Sequence, residues 1–269
     1  MKPHIESTSL GVRLTFDKKE PGPNWIFIPG GPGMGSESLL SLTKHLPLKG
    51  SLIRLDLPND GRNRQNSPID LKTWQTALLD AVKGFKHVIL VGHSFGAMLI
   101  QTMPALEPLL KGVVFITSGP DNTWYKTFAA RAQHQNLPNV SGLRKAFLEN
   151  PSDESYRHYM IHCLPYYFLP KGMIEGGRLF KSLPYHHKPY LWALEHFHPV
   201  SKANWVPKIP CLIINAENDY VVTDNPFHQP AYQAKNIDQV VIPKAGHFPW
   251  IENLPEVKQA FLNFEKKLS

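Results

Sequence analysis

Apolar residues along this chain gather in short runs bounded by Gly, Pro, Asn or charge, at 12–16, 25–28, 52–55, 88–91, 113–116, 212–214 and 240–242. Most of these runs do not alternate strictly between apolar and polar. A strand covered on one face would alternate, so the runs predict strands with helices packed on both faces. Between them lie segments of helical spacing. Leu71, Trp74, Leu78, Leu79 and Val82 recur at helical intervals over 71–85, a second helix is expected over 97–103, and a third over 255–268 with Pro255 in its first turn. Strand followed by helix followed by strand is the rhythm of a mostly parallel sheet, and the expected class is α/β.

The stretch 120–201 breaks that rhythm. It contains no convincing β-branched strand and is crowded with Tyr, His, Phe, Trp and Pro, which reads as an inserted helical region. The strand pattern resumes after it, so the insertion interrupts one sheet and does not begin a second, tandem domain. The expected organisation is a core of 1–119 and 202–269 carrying a helical cap over 120–201.

Composition narrows the classes. A chain of 269 residues that is 42% hydrophobic and 19% charged can bury a large core without a metal or disulfide staple, and is neither disordered nor, with 18 scattered Gly, collagen-like. The formal charge of +7 is spread along the chain. Its densest basic cluster, Arg62 to Gln65, lacks the interleaved aromatics of a single-strand platform, so no nucleic-acid partner is expected. Residues 1–10 have neither the basic start nor the apolar centre of a signal peptide, and no apolar run reaches the roughly 18 residues needed to span a bilayer. A cytoplasmic protein without a membrane partner is expected, with Cys163 and Cys211 as reduced thiols.

One motif carries chemistry. Gly92, His93, Ser94, Phe95 and Gly96 follow the apolar run 88–91 and precede helix-compatible residues, which is G-x-S-x-G in the strand, turn, helix setting that exposes a nucleophilic serine. A serine hydroxyl needs a base near neutrality, and the base needs an orienting carboxylate. Both lie just beyond later strands: Glu217 and Asp219 after 212–214, and His247 in a Gly-His-Phe setting after 240–242. Catalytic groups in such sheets collect at the carboxyl ends of strands. The candidate triad is Ser94, His247 and one of the two acids, Asp219 or Glu217.

The order Ser, Asp, His together with the elbow resembles that of α/β-hydrolase-fold serine hydrolases, and the resemblance covers nearly the whole chain outside 120–201. It implies an α/β-hydrolase fold, a site that needs no cofactor, and Asp219 as the triad acid, since the family pattern of Gly or Asn followed by x-x-x-Asp matches Asn215 to Asp219. It also implies an oxyanion hole made of the backbone N–H of Phe95 and one from the loop after the 25–28 strand, with Gly31 as the candidate. The run Gly30, Gly31, Pro32, Gly33 is similar to the His-Gly-Gly-Pro-Gly segment of proline iminopeptidases, with Pro29 in place of the histidine. The expected substrate is a small ester or a short peptide. In the aminopeptidase alternative, cap acids bind a free amino group, and the candidates are Asp153, Glu154, Glu175 and Glu195. A ligand-binding homologue without turnover is the alternative from another class. His186, His187, His196 and His198 lack the Asp, Glu or Cys pattern of a zinc site, so no metal is expected. The segment 55–63 is read as a structural turn in which Asp56 ties neighbouring backbone. Of the cap aromatics, Trp124, Tyr125, Phe128, Tyr156, Tyr159, Tyr166, Tyr167, Phe168, Tyr190, Trp192 and Phe197 are candidates to line a pocket.

Overall fold

The computed structural model describes residues 4–222 and 226–268, so Met1 to Pro3 of the polar N-terminal stretch lie outside it. Eight strands form one sheet in the order β1-β2-β4-β3-β5-β6-β7-β8: β1 His4–Ser7, β2 Arg13–Lys18, β3 Asn24–Ile28, β4 Ser51–Asp56, β5 Val88–His93, β6 Leu110–Ile116, β7 Cys211–Ala216 and β8 Ile237–Ile242. β1, β2 and β4 pair antiparallel in succession, and every other pairing is parallel. Seven of these strands fall on the seven apolar runs. The eighth, β1, is a wholly exposed edge strand, and with no buried face it leaves no hydrophobic signature to read.

Both faces of the central strands are covered, as the missing alternation predicted. On β3, Trp25 and Phe27 pack with Val257, Phe261 and Phe264 of the Leu254–Leu268 helix, while Ile26 and Ile28 pack with Trp74 and Leu78 of the Leu71–Lys83 helix. Asp70 starts the latter helix by accepting the Thr73 N–H at 2.7 Å, a cap worth about 1 kcal/mol.

After β3 the chain runs to β4 on one side and then to β5 on the other. The loops leaving β3 and β5 therefore diverge from adjacent strand ends, and Ile28 pairs with Gly92 at that point. Sheets of this kind place their binding crevice there.

Between β6 and β7 the chain is helical, with its longer helices at Thr123–His134, Ser141–Glu149, Asp153–His162 and Met173–Ser182. An antiparallel bridge, Asp121 to Lys202, joins the two ends of this helical stretch. Among the described residues no helix is long and apolar enough to cross a membrane. Cys163 and Cys211 are both buried, free thiols.

Candidate active site

The turn after β5 holds Ser94 at φ 50°, ψ −118°, a conformation that costs a residue with a Cβ about 1–3 kcal/mol. The two flanking glycines permit it. A Cβ on Gly92 would stand 2.5 Å from the Ala97 backbone, and one on Gly96 would stand 2.6 Å from the Ile28 carbonyl oxygen. Hydrogen bonds hold the strained residue from both sides: the Ser94 N–H donates to Ile116 O, and its carbonyl accepts from Ala97 N, Met98 N and the Ser118 hydroxyl. Ser94 is only partly buried and faces a cavity of about 840 Å³.

His247 faces the same cavity from the loop after β8. Its Nδ1 lies 2.9 Å from Asp219 Oδ2. A carboxylate only accepts, so this contact places the ring proton on Nδ1 and leaves Nε2 as the basic nitrogen. The other Asp219 oxygen accepts the Val221 and Val222 N–H groups at 2.8 and 3.0 Å. The second candidate acid is engaged elsewhere, since Glu217 accepts the Lys244 N–H at 2.7 Å.

The backbone of His247 is fixed as thoroughly as its ring. Its N–H donates to Tyr167 O, and its carbonyl accepts from His93 Nε2 at 3.0 Å and from the Thr117 hydroxyl at 2.9 Å. Because His93 donates through Nε2, its Nδ1 is a buried acceptor without a hydrogen-bond partner among the described residues. Burial, with the nearby His247, pulls the pKa of His93 well below the usual histidine range, so this ring stays neutral.

Gly31 and Phe95 line the cavity beside Ser94. Gly31 sits at φ +118°, a region open to glycine. Its loop is tied down from below and above. Asp60 Oδ1 accepts the Gly33 N–H at 2.7 Å, Asp56 Oδ1 accepts the Ser36 N–H at 2.6 Å, and the Gly33 carbonyl accepts the His186 N–H from the insertion at 2.7 Å. Asp56 thus ties neighbouring backbone as expected, with Arg13 as its ion-pair partner. Asp60 is the more perturbed carboxyl: burial, then repulsion from Asp56, pushes its pKa up to about 7.

Sequence reasoning missed His93, Thr117 and Asp60 as partners of the site. His93 lay inside the motif, but nothing in the spacing said what its ring would reach. For the other two, the contacts join segments far apart in the chain.

The far wall of the cavity is aromatic. Trp124, Tyr125, Phe128, Tyr156, Tyr159, Tyr166, Tyr167 and Tyr190 line it. Three of the aromatic candidates do not: Phe168 stacks on Phe248, Trp192 packs against Trp74, and Phe197 packs against Phe95. None of the four candidate cap acids lines the cavity, nor does any other carboxylate among the described residues. Asp153 accepts from Arg64 and lies 2.7 Å from His187 Nδ1, Glu154 sits beside Arg157, Glu175 beside Arg178, and Glu195 is largely exposed beside His196. The insertion histidines are dispersed too. His186 Nδ1 lies 2.6 Å from Asn59 O, while His198 is buried against Trp124 and its pKa is pulled down to about 4 by that burial. Among the described residues no cluster of three or more His, Cys, Asp or Glu is placed to hold a metal ion.

Residues 25–260 match the model of the alpha/beta hydrolase family. Similar solved structures include a proline iminopeptidase-related protein from Thermus thermophilus (18% identity, TM-score 0.74, covering 100% of this chain and 99% of that one). They also include a thermophilic esterase from Thermogutta terrifontis (15% identity, TM-score 0.71, covering 100% and 99%) and an alpha/beta fold family hydrolase from Bacillus anthracis str. Sterne (14% identity, TM-score 0.73, covering 100% and 99%). Among curated proteins, no relative matches this chain in sequence.

Proposed function

Because the chain belongs to the alpha/beta hydrolase family, we propose that it is a serine hydrolase that cleaves a small ester through an acyl-enzyme formed on Ser94. The observation that carries this reading is the strained Ser94, sharing one cavity with a His247 whose Nδ1 is paired to the buried Asp219.

In the proposed reaction, Ser94 Oγ attacks the substrate carbonyl carbon while His247 Nε2 takes its proton. Negative charge then builds on the carbonyl oxygen, where the Gly31 and Phe95 N–H groups would meet it; such donors contribute about 3 kcal/mol each when fixed beforehand. Collapse expels the leaving group, which takes the proton from His247. Water, deprotonated by the same nitrogen, attacks the acyl carbon and releases Ser94 and the acid. Asp219 keeps the imidazole oriented and balances its transient positive charge. No cofactor enters this scheme.

We further assign 120–201 as a cap over a core of 1–119 and 202–269. The helical insertion supplies the aromatic wall opposite Ser94, which favours a substrate with an apolar or aromatic body. The choice of ester over an aminopeptidase substrate rests on the same wall, since a free ammonium group would find no carboxylate among the described lining residues. The two unpaired thiols accord with work in the cytoplasm.

The test is labelling with a fluorophosphonate probe followed by mapping of the modified residue. The expected result is modification of Ser94 that disappears in His247→Ala. A protein that leaves Ser94 unmodified would support the non-catalytic binding alternative. A panel of p-nitrophenyl esters beside Pro-, Ala- and Arg-amides then decides the bond: esters cleaved and amides spared is the expected outcome, and the reverse assigns an aminopeptidase.

A further inference from the structure

Glu252 joins the loop that carries His247 to the helical insertion. It ends the short helix Pro249–Glu252, five residues beyond His247. Its Oε2 accepts the Gly246 N–H at 2.6 Å, and its Oε1 accepts the Leu169 N–H at 2.8 Å. A third bond runs from Lys171 Nζ to the Glu252 carbonyl at 2.9 Å. One residue thus grips the amide of Gly246, next to His247, with one carboxylate oxygen and the insertion with the other.

Two glycines make the room. A Cβ on Gly172 would stand 2.6 Å from Glu252 Oε1 and 2.7 Å from its Cγ, so any side chain there would displace the carboxylate. A Cβ on Gly246 would stand 2.6 Å from the Tyr167 carbonyl oxygen, which is the acceptor for the His247 N–H. Consecutive backbone groups, Gly246 N–H and His247 N–H, are therefore held by Glu252 and by Tyr167, and Glu252 in turn holds Leu169. The result is a closed circuit between 167–172 and 246–252.

Resting on the hydrolase reading above, we propose that Glu252 is a positioning residue: it makes the register of His247 depend on the placement of the insertion, so that the wall around the substrate also sets the aim of the base. The physical reason lies in what the rest of the fold fixes. His93 and Thr117 hold the His247 carbonyl and Asp219 holds its ring; on the amide side the core reaches the Ala245 carbonyl through the Asn218 N–H at 2.9 Å, while the Gly246 and His247 N–H groups are held by Glu252 and by Tyr167 of the insertion. Loss of those two amide contacts would let Nε2 swing relative to Ser94, and errors of about 1 Å in a base can cost a factor of about 100.

The experiment uses three variants, Glu252→Ala, Glu252→Gln and Gly172→Ala, with the exposed Glu175→Gln as the control on the same insertion. Amide hydrogen exchange is read at 167–172 and 245–248, and ester turnover is expressed per active site titrated with the fluorophosphonate. Glu252→Ala should raise exchange in both segments together and lower kcat about 10- to 100-fold with KM within about twofold. Glu252→Gln keeps one acceptor and should fall between. Gly172→Ala touches neither the loop nor Glu252 covalently, yet should lower kcat in the same way by pushing the carboxylate aside, and it remains informative if Glu252→Ala fails to fold. Unchanged kcat per titrated site in folded Glu252→Gln and Gly172→Ala, or exchange that rises in only one segment, overturns the proposal. A wild-type protein that labels at no serine would remove the hydrolase reading alone, because the paired exchange response reports on the circuit without any turnover.

Discussion

The wall of the cavity that carries Ser94 and the wall that faces it are built from different materials. Around Ser94 the structure is strand ends and tight turns tied by backbone hydrogen bonds such as Ser94 N–H to Ile116 O, and glycines stand where a methyl group would meet backbone at 2.5–2.6 Å. Opposite lie aromatic side chains on helices that touch one another by ring faces and edges, such as Tyr156 on Tyr190 at 4.5 Å and Phe128 on Tyr166 at 5.4 Å. The Thr123–His134 helix buries none of its residues fully. Directional bonds fix a position to fractions of an ångström, whereas ring contacts tolerate sliding and substitution. The first suits a group that must meet a carbonyl at one angle; the second suits a surface that selects a shape.

Substitutions on the two walls should therefore read out differently. Ser94→Ala should reduce ester turnover about 10⁴-fold or more, and Asp219→Asn about 10³- to 10⁴-fold with KM little changed, measured as steady-state kcat on a p-nitrophenyl ester. Gly96→Ala comes next. It drives a Cβ against the Ile28 carbonyl and should destabilise the protein by about 1–3 kcal/mol in urea unfolding, with loss of Ser94 labelling in the folded fraction. On the aromatic wall, Phe128→Ala should raise KM for a bulky aryl ester about 3- to 10-fold and leave kcat within about twofold. A Phe128→Ala protein that lost kcat as severely as Asp219→Asn would erase the distinction between the walls.

The smallest expected effect concerns the floor of the Gly31 loop. The pKa of Asp60 is raised to about 7 from an unfolded value near 3.8, so the folded state binds its proton more tightly than the unfolded chain does. Its contribution to stability is fully present below the unfolded value and is lost as pH rises through about 7. Asp60→Asn should flatten the decline in melting temperature between about pH 4 and 7, as read by thermal unfolding across that range. An unchanged pH slope would show that Asp60 titrates elsewhere.

Much of the geometry of the Ser94 wall was legible in the chain because it depends on neighbours in sequence. An apolar run, two glycines two residues either side of Ser94, and a histidine after the last strand need only strand-turn geometry to acquire meaning. The choice between Asp219 and Glu217 was not legible from the residues alone. Both acids follow β7 within three residues of each other, and only folding shows that one reaches His247 while the other caps the Lys244 amide. The aromatic wall was legible as composition only. Trp192, Phe197 and Phe168 are as aromatic as Tyr159 or Tyr190, and which of them borders the cavity depends on helix rotations that no local pattern encodes.

The sequence by itself determined the α/β class, the seven strands that fall on apolar runs and the position of the strained turn at Ser94, because apolar runs and a glycine-flanked turn are written in residue types a few positions apart. Tertiary structure alone decided the exposed β1, the partner of each acid, the absence of the four cap carboxylates from the cavity and the grip of Glu252 on Leu169 as well as on nearby Gly246. Each of these depends on how helices and loops settle against a finished sheet, which no local pattern of residues encodes.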